Sequence, residues 1–219
     1  MTAFTQKLPT PHAHSAQSIQ VSFLNFRDLV QPISSLETEL LKQHEFQLGY
    51  NWGVPRFGHP EGKVGFHVKE VLDNIGLIEM DNQSLQQLRI AAIAHDTFKY
   101  QEAETKLKGK KINHGLLARR FMEKFIDDET TLDLIELHDE IYYSWRHEAL
   151  QHNIALSEKR LGKLLDRIGS HLKLHYLFFR CDTMTGDKIQ SPRFWFENKI
   201  REMGDQETES VIAKLNGTD

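Results

Sequence analysis

The chain of 219 residues has a single cysteine, Cys181, and no apolar run that approaches the roughly 20 residues needed to span a bilayer. One cysteine cannot form a disulfide within the chain, and it cannot provide the thiolate pairs of a zinc finger. The N-terminal segment MTAFTQKLPTPHAHS lacks the apolar core and the small-residue cleavage site of a secretory signal. We therefore expect a cytoplasmic protein that has no membrane partner.

The sequence also has no large excess of either charge. Its 27 lysines and arginines and its 31 aspartates and glutamates give a formal net charge of −4. A general nucleic-acid-binding protein needs a basic surface, so we expect no nucleic-acid partner. A compact chain of this length buries about 70 to 75% of the surface that its unfolded form exposes. It can therefore fold without a metal ion, and a metal site would have to be explained by function.

Apolar residues recur at helical spacing along most of the chain, and 39% of its residues are hydrophobic, as in globular proteins. We see neither an alternating pattern long enough for a β-strand nor an internal repeat. The sequence therefore predicts an all-α fold, with an N-terminal arm over residues 1–33 and a helical bundle over residues 34–219.

Local signals predict where two of the helices begin. Ser84 and Gln87 have the spacing of a capping box, which predicts a helix that begins at Ser84. Asn113 is a suitable N-cap for the helix that contains His114. The lysine-rich segment ETKLKGKK, which precedes Asn113, predicts a loop.

Two of the predicted helices are long. Ile135, His138 and Trp145 lie at helical spacing, which predicts one helix that continues through all three. Apolar residues every three or four positions predict the longest helix, from Ser157 to about Thr183.

The chain has 12 histidines, and some of them lie on the apolar faces of predicted helices. An ionisable group there costs free energy unless it is paired or bound to a metal ion. A single histidine on such a face is more often an ordinary core or pocket residue than a ligand. Several on different helices favour a shared site, because metal sites are built in the common interior of a bundle. The residues concerned are His67, His95, His114, His138 and Asp182.

The order of His67, then His95 and Asp96, then Asp182 resembles the H…HD…D signature of the HD-domain superfamily of metal-dependent phosphohydrolases. The local context is similar, since the HD pair follows the apolar run IAAIA and Asp182 lies in FFRCDTMTGDK. The resemblance covers about residues 55 to 190. It implies an HD-domain helical bundle with a metal site in its interior.

Two further histidines resemble those of the subgroup that holds two metal ions, with the order H…HD…H…H…D. This likeness implies two divalent ions that share Asp96. The first would be bound by His67, His95, Asp96 and Asp182, and the second by Asp96, His114 and His138. Such a mixed nitrogen and oxygen set suits iron, manganese, cobalt or zinc, and magnesium is a further candidate. The alternative for His114 is a role at the start of a surface helix.

Lys99 completes the H-D-x-x-K motif of many two-metal members, in which the lysine contacts the substrate phosphate or protonates the leaving group. The resemblance therefore implies catalytic roles for Asp96 and Lys99. Phe98 stands where the cyclic-dinucleotide subgroup has glycine, and no GYP follows. The alternative for Lys99 is a solvated lysine at a helix end.

Other basic residues are weaker candidates for contacts with phosphate. Arg146, which follows His138, could bind a substrate phosphate, although arginines near helix ends commonly have no chemical role. A basic loop between the HD pair and His114 could close over a phosphate, or it could simply be solvated. The lysines of this loop are Lys106, Lys108, Lys110 and Lys111.

The favoured function is hydrolysis of a phosphate ester or anhydride of a small, nucleotide-like molecule by a metal-activated water. A di-iron oxygenase similar to inositol oxygenase is the main alternative, because it resembles the same H…HD…H…H…D set. A non-catalytic module that senses a nucleotide is the third.

Overall fold

A computed structural model describes residues 25–110 and 112–217, and the regular structure of these residues is helical. They contain no β-strand, only one isolated bridge between Arg56 and His59. The prediction of an all-α fold is therefore confirmed. No helix in this part of the chain combines the length and the apolar character that a membrane crossing requires. Most of the predicted N-terminal arm lies outside the described residues, and so does Lys111.

The described residues form thirteen α-helices and one short 3₁₀ turn, Gly169–His171. The α-helices are α1 Phe26–Val30, α2 Ser35–Leu40, α3 His44–Asn51, α4 Val64–Gly76, α5 Asn82–Ala94, α6 Lys99–Leu107, α7 His114–Met122, α8 Glu129–Leu137, α9 Glu140–Ala149, α10 Ile154–Ile168, α11 Leu172–Thr183, α12 Ser191–Met203 and α13 Gln206–Asn216.

Side chains that accept hydrogen bonds determine where α5 and α7 begin. The predicted start at Ser84 is wrong, because Asp81 already accepts a hydrogen bond from the Ser84 backbone N–H and α5 begins at Asn82. A carboxylate caps a helix as well as a hydroxyl does. The predicted cap of α7 is confirmed, since the Asn113 side chain accepts from the N–H groups of Gly115 and Leu116.

Two helices that were predicted to be continuous are interrupted. The predicted helix from Ser157 to Thr183 is divided into α10 and α11, because Gly169 has a φ of +50° and ends α10. The predicted helix through His138 ends there and resumes as α9 at Glu140. The segment predicted as a lysine-rich loop is partly helical, since α6 extends to Leu107.

The core lies where α5 packs against α4, α8 and α11. The residues of α5 from Ile90 to Ala94 are buried, and the three alanines among them let the neighbouring helices approach. Gly115 has the same effect between α7 and α8, because a Cβ there would lie 2.5 Å from the Glu136 carbonyl oxygen. The helix start that carries His114 is thereby brought against the helix end that carries His138.

Candidate metal centre

The six predicted ligands come together in the interior of the bundle, and they are carried by the ends or the middles of five different helices. The histidines and Asp96 are at most 4% exposed, and the Asp182 side chain is 13% exposed. Their positions are His67 in α4, His95 and Asp96 directly after α5, His114 at the start of α7, His138 directly after α8 and Asp182 in α11.

The first group surrounds one small volume. The Nε2 atoms of His67 and His95 are 3.3 Å apart, and Asp182 Oδ1 lies 2.8 Å from the first and 3.7 Å from the second. Asp96 Oδ2 lies 3.6 and 3.5 Å from the same two nitrogens. Ligand atoms that are each about 2.1 Å from one ion are themselves roughly 3.0 to 3.5 Å apart. The spacing of the group therefore fits a single metal ion.

The second group uses the other oxygen of the same carboxylate. Asp96 Oδ1 lies 3.2 Å from His114 Nε2 and 3.5 Å from His138 Nε2, and these two nitrogens are 3.1 Å apart. Asp139 Oδ2 adds a further oxygen 3.6 and 3.8 Å from the two nitrogens. The two oxygens of Asp96 thus face one group each. Asp139 offers the second group a fourth ligand atom, which the resemblance does not imply.

Backbone carbonyls set the orientation of two of the imidazole rings. The Nδ1–H of His95 donates to the Ala92 carbonyl over 2.9 Å, and that of His138 donates to the Ile135 carbonyl over 2.8 Å. A proton on Nδ1 leaves the Nε2 lone pair free in the neutral ring, which is the form that binds a metal ion. The Nε2 atom of each ring points towards the other atoms of its ligand group.

The His114 ring is oriented by a carboxylate instead. Its Nδ1–H donates to Glu102 Oε2 over 2.5 Å. The hydrogen bond to His114 is the main reason why the pKa of Glu102 falls to about 2. Burial alone would lower the pKa of His114, but hydrogen bonds with Asp96 and Glu102 raise it to about 9. The surroundings of His114 therefore favour a positive charge.

The two buried aspartates are each paired with a lysine. Burial alone would raise the pKa of Asp96, but the Lys99 ammonium group, with which it forms an ion pair, holds that pKa well below its usual range. Lys188 Nζ lies 2.9 Å from Asp182 Oδ1 and lowers the pKa of this carboxyl in the same way. Asp96 Oδ1 is buried and forms no well-aligned hydrogen bond with the described residues, although His114 Nε2 lies 3.2 Å away. An anionic oxygen in that position fits a cation.

A cavity of about 550 Å³ opens beside both groups. Four basic side chains and five aromatic side chains form parts of its wall. The basic residues are Arg56, Lys99, Lys106 and Lys188, and the aromatic residues are Trp52, Phe57, Tyr142, Tyr143 and Phe179.

Some of the predicted phosphate contacts do not reach the cavity. Arg146 is exposed on α9 and does not line it, and neither do Lys108 and Lys110. Lys106 lines the cavity and forms a 2.6 Å ion pair with Glu102. Of the loop lysines, Lys111 is outside the described residues.

Sequence reasoning missed several residues of the site. Glu61, Glu102 and Lys188 cannot be recognised in this way, because a lone charged residue on a polar segment gives no signal of its own. The spacing of Glu102 from Lys99, one helical turn, would have placed it near the HD pair if α6 had been predicted.

The comparison sets are protein-family models, curated proteins and solved structures. None of them matches the chain. The resemblance to the HD-domain superfamily therefore stays a prediction that rests on the motif residues.

Proposed function

We propose that this protein is a metal-dependent phosphohydrolase of the HD-domain type, which cleaves a phosphate ester or anhydride of a small, nucleotide-like substrate. One observation carries the proposal. Asp96 is shared by two groups of buried ligand atoms, and these groups lie beside a cavity with basic side chains in its wall. Bound divalent ions would supply an activated water and would neutralise negative charge on phosphoryl oxygens.

The charges around the cavity favour an anionic substrate. Its wall has four basic and four acidic side chains, so their formal charges, 4 − 4, sum to zero. Two divalent ions would make the occupied site strongly positive, and a substrate that carries negative charge would restore the balance. A neutral substrate would not. The acidic residues in this count are Asp96, Glu102, Asp139 and Asp182.

Lys99 and Lys188 are the side chains best placed to contact a phosphoryl group. Burial alone would lower the pKa of Lys99, but the Asp96 carboxylate raises it, so its Nζ remains charged. Each lysine pairs with an aspartate that we assign to the metal ions. An aspartate that binds a metal ion attracts the lysine less strongly, so the lysine can donate a hydrogen bond to a substrate oxygen.

The aromatic residues of the wall support a substrate with a planar ring. Phe57 is 78% exposed and Tyr142 is 37% exposed, although large apolar side chains are usually buried. Both stand on the cavity wall, where they can stack on a base. A nucleotide provides both a base and a phosphate.

The proposal is tested by measuring phosphate release from nucleotides, phosphate monoesters and phosphate diesters with manganese, iron, cobalt, zinc or magnesium added. We expect metal-dependent release from at least one class, loss of release in Asp96→Ala, and no loss in Asp73→Asn, whose carboxylate is exposed on α4. Oxygen consumption with ferrous iron and no phosphate release would favour the di-iron oxygenase. Tight nucleotide binding without turnover would favour the sensing module.

A further inference from the structure

His67 differs from the other three histidines of the site. Its Nδ1 is buried and has no hydrogen-bond partner in the part of the chain that is described. The nearest acceptor is Glu61 Oε1, at 3.7 Å. Glu61 Oε2 is also buried and without a hydrogen bond. An unsatisfied nitrogen thus lies beside a carboxylate that has one unsatisfied oxygen, and each such atom costs free energy.

The contact of His67 with Asp182 explains why Nδ1 has no partner. His67 Nε2 lies 2.8 Å from Asp182 Oδ1, and since an ionised carboxylate can only accept, Nε2 carries the proton here. The neutral ring has only this one proton, so Nδ1 is unprotonated. In this tautomer Nδ1 has nothing to donate to Glu61.

Metal binding requires the opposite tautomer. A histidine binds a metal ion through an unprotonated nitrogen, so Nε2 must lose its proton to solvent. The ring then stays neutral by taking up a proton on Nδ1 in exchange for the one lost from Nε2, and Glu61 is the acceptor beside it. We infer that Glu61 is a positioning residue, which accepts this hydrogen bond and holds His67 in the tautomer that binds the first ion. The inference rests on the metal site of the proposed function and not on its phosphohydrolase reaction.

Glu61 is itself held in place by its neighbours. His59 Nδ1 lies 2.9 Å from Glu61 Oε1, and the Glu61 side chain is only 6% exposed. Gly62, which follows it, has a φ of +78°, and a Cβ there would lie 2.7 Å from Pro55 Cδ. Glu61 thus supports a histidine of the first ligand group as Glu102 supports His114 in the second.

The test uses full-length Glu61→Gln and Glu61→Ala, with Asp73→Asn as the control from the same region of the fold. Each is titrated with zinc in competition with a chelator, and helical content is checked by circular dichroism. We expect the zinc affinity to fall about 100-fold in Glu61→Ala and about 10-fold in Glu61→Gln, which keeps an accepting oxygen. Asp73→Asn should bind zinc as the wild type does.

Nitrogen NMR of the histidine rings gives a second measurement that a purely structural role would not change. In the zinc-bound wild type, Nδ1 of His67 should be protonated and slow to exchange with solvent, whereas in Glu61→Ala it should exchange faster. Unchanged zinc affinity in both Glu61 variants would overturn the inference, as would a wild-type chain that binds no zinc. A wild type that binds zinc but releases no phosphate would contradict only the proposed reaction.

Discussion

His95 and His138 are placed by the same local arrangement at the ends of two packed helices. In each case the Nδ1–H donates to the backbone carbonyl three residues earlier, and an aspartate follows directly. This hydrogen bond turns the ring back over the last helical turn, so that Nε2 points away from the helix and towards the ligand groups. The chain thus presents two His-Asp pairs, His95-Asp96 and His138-Asp139, to one interior.

The first prediction concerns the shared carboxylate. Asp96→Ala removes one oxygen from each ligand group, so we expect bound metal to fall from about two ions per chain to less than one. Helical content should persist, because the core packs independently of this side chain. Elemental analysis of the purified chain measures the change, and Asp73→Asn serves as its control. Full metal occupancy in Asp96→Ala would contradict the assignment of the site.

The second prediction separates the two ions. Replacing His114 and His138 together by alanine should leave the first group complete and reduce the metal content from about two ions per chain to about one. Asp139→Ala should weaken the binding of the second ion without removing the first. An unchanged stoichiometry in the double variant would return both histidines to a structural role.

The third prediction concerns the close approach of α7 to α8. A Cβ on Gly115 would lie 2.5 Å from the Glu136 carbonyl oxygen, and neither backbone can move without shifting His114 from His138. We expect Gly115→Ala to lower the free energy of unfolding by about 1 to 3 kcal/mol and to weaken the second ion more than the first.

Gly162 is the matched control for this substitution. It lies within α10, and a Cβ there would meet nothing within 4 Å. Gly162→Ala should raise the free energy of unfolding by roughly 0.5 to 1 kcal/mol, because alanine has the higher helix propensity. Urea unfolding of both variants gives the comparison, and equal effects of the two would show that the contact with Glu136 has no consequence.

The fourth prediction is a dependence of stability on pH. Asp128 caps α8 and accepts from Thr131 and Gln87. Burial alone would raise its pKa, but these hydrogen bonds hold it below the ordinary value. A carboxyl whose pKa is lower in the folded state stabilises it above the unfolded pKa, and this contribution is lost as the pH falls through the folded pKa.

Asp128→Ala should therefore cost about 1 kcal/mol at pH 7. The difference from the wild type should be the same at pH 6 and should shrink below about pH 4, where the unfolded carboxyl is protonated. Urea unfolding at each pH measures it. A difference that grows as the pH falls would show that the sign of the pKa shift is wrong.

The sequence predicted which polar residues come together in the interior better than it predicted the helix ends. His67 and Asp182 were recognisable because polar residues stand out on an apolar face, which is a local property. The interruption after His138 was not recognisable, because a side-chain hydrogen bond to the Ile135 carbonyl competes with helix continuation. Glu61 was missed for another reason: its contact with His67 depends on how the preceding loop packs against α4.

The last prediction concerns Lys99 and Lys188. A phosphohydrolase needs positive charge beside its substrate, whereas an enzyme that acts on a neutral substrate does not. Lys99→Met should lower turnover on the best phosphate substrate by about 10²-fold, the effect of losing one electrostatic or proton-donating group. Lys188→Met should have a comparable effect. Removing Lys108 and Lys110, which do not line the cavity, should change only the Michaelis constant, and high salt should reduce that change because exposed charges are screened over about 10 Å. These kinetic constants are measured with each variant loaded with the same metal to the same stoichiometry, so that lost metal is not mistaken for lost catalysis. Turnover by Lys99→Met equal to that of the wild type would show that this lysine only neutralises Asp96.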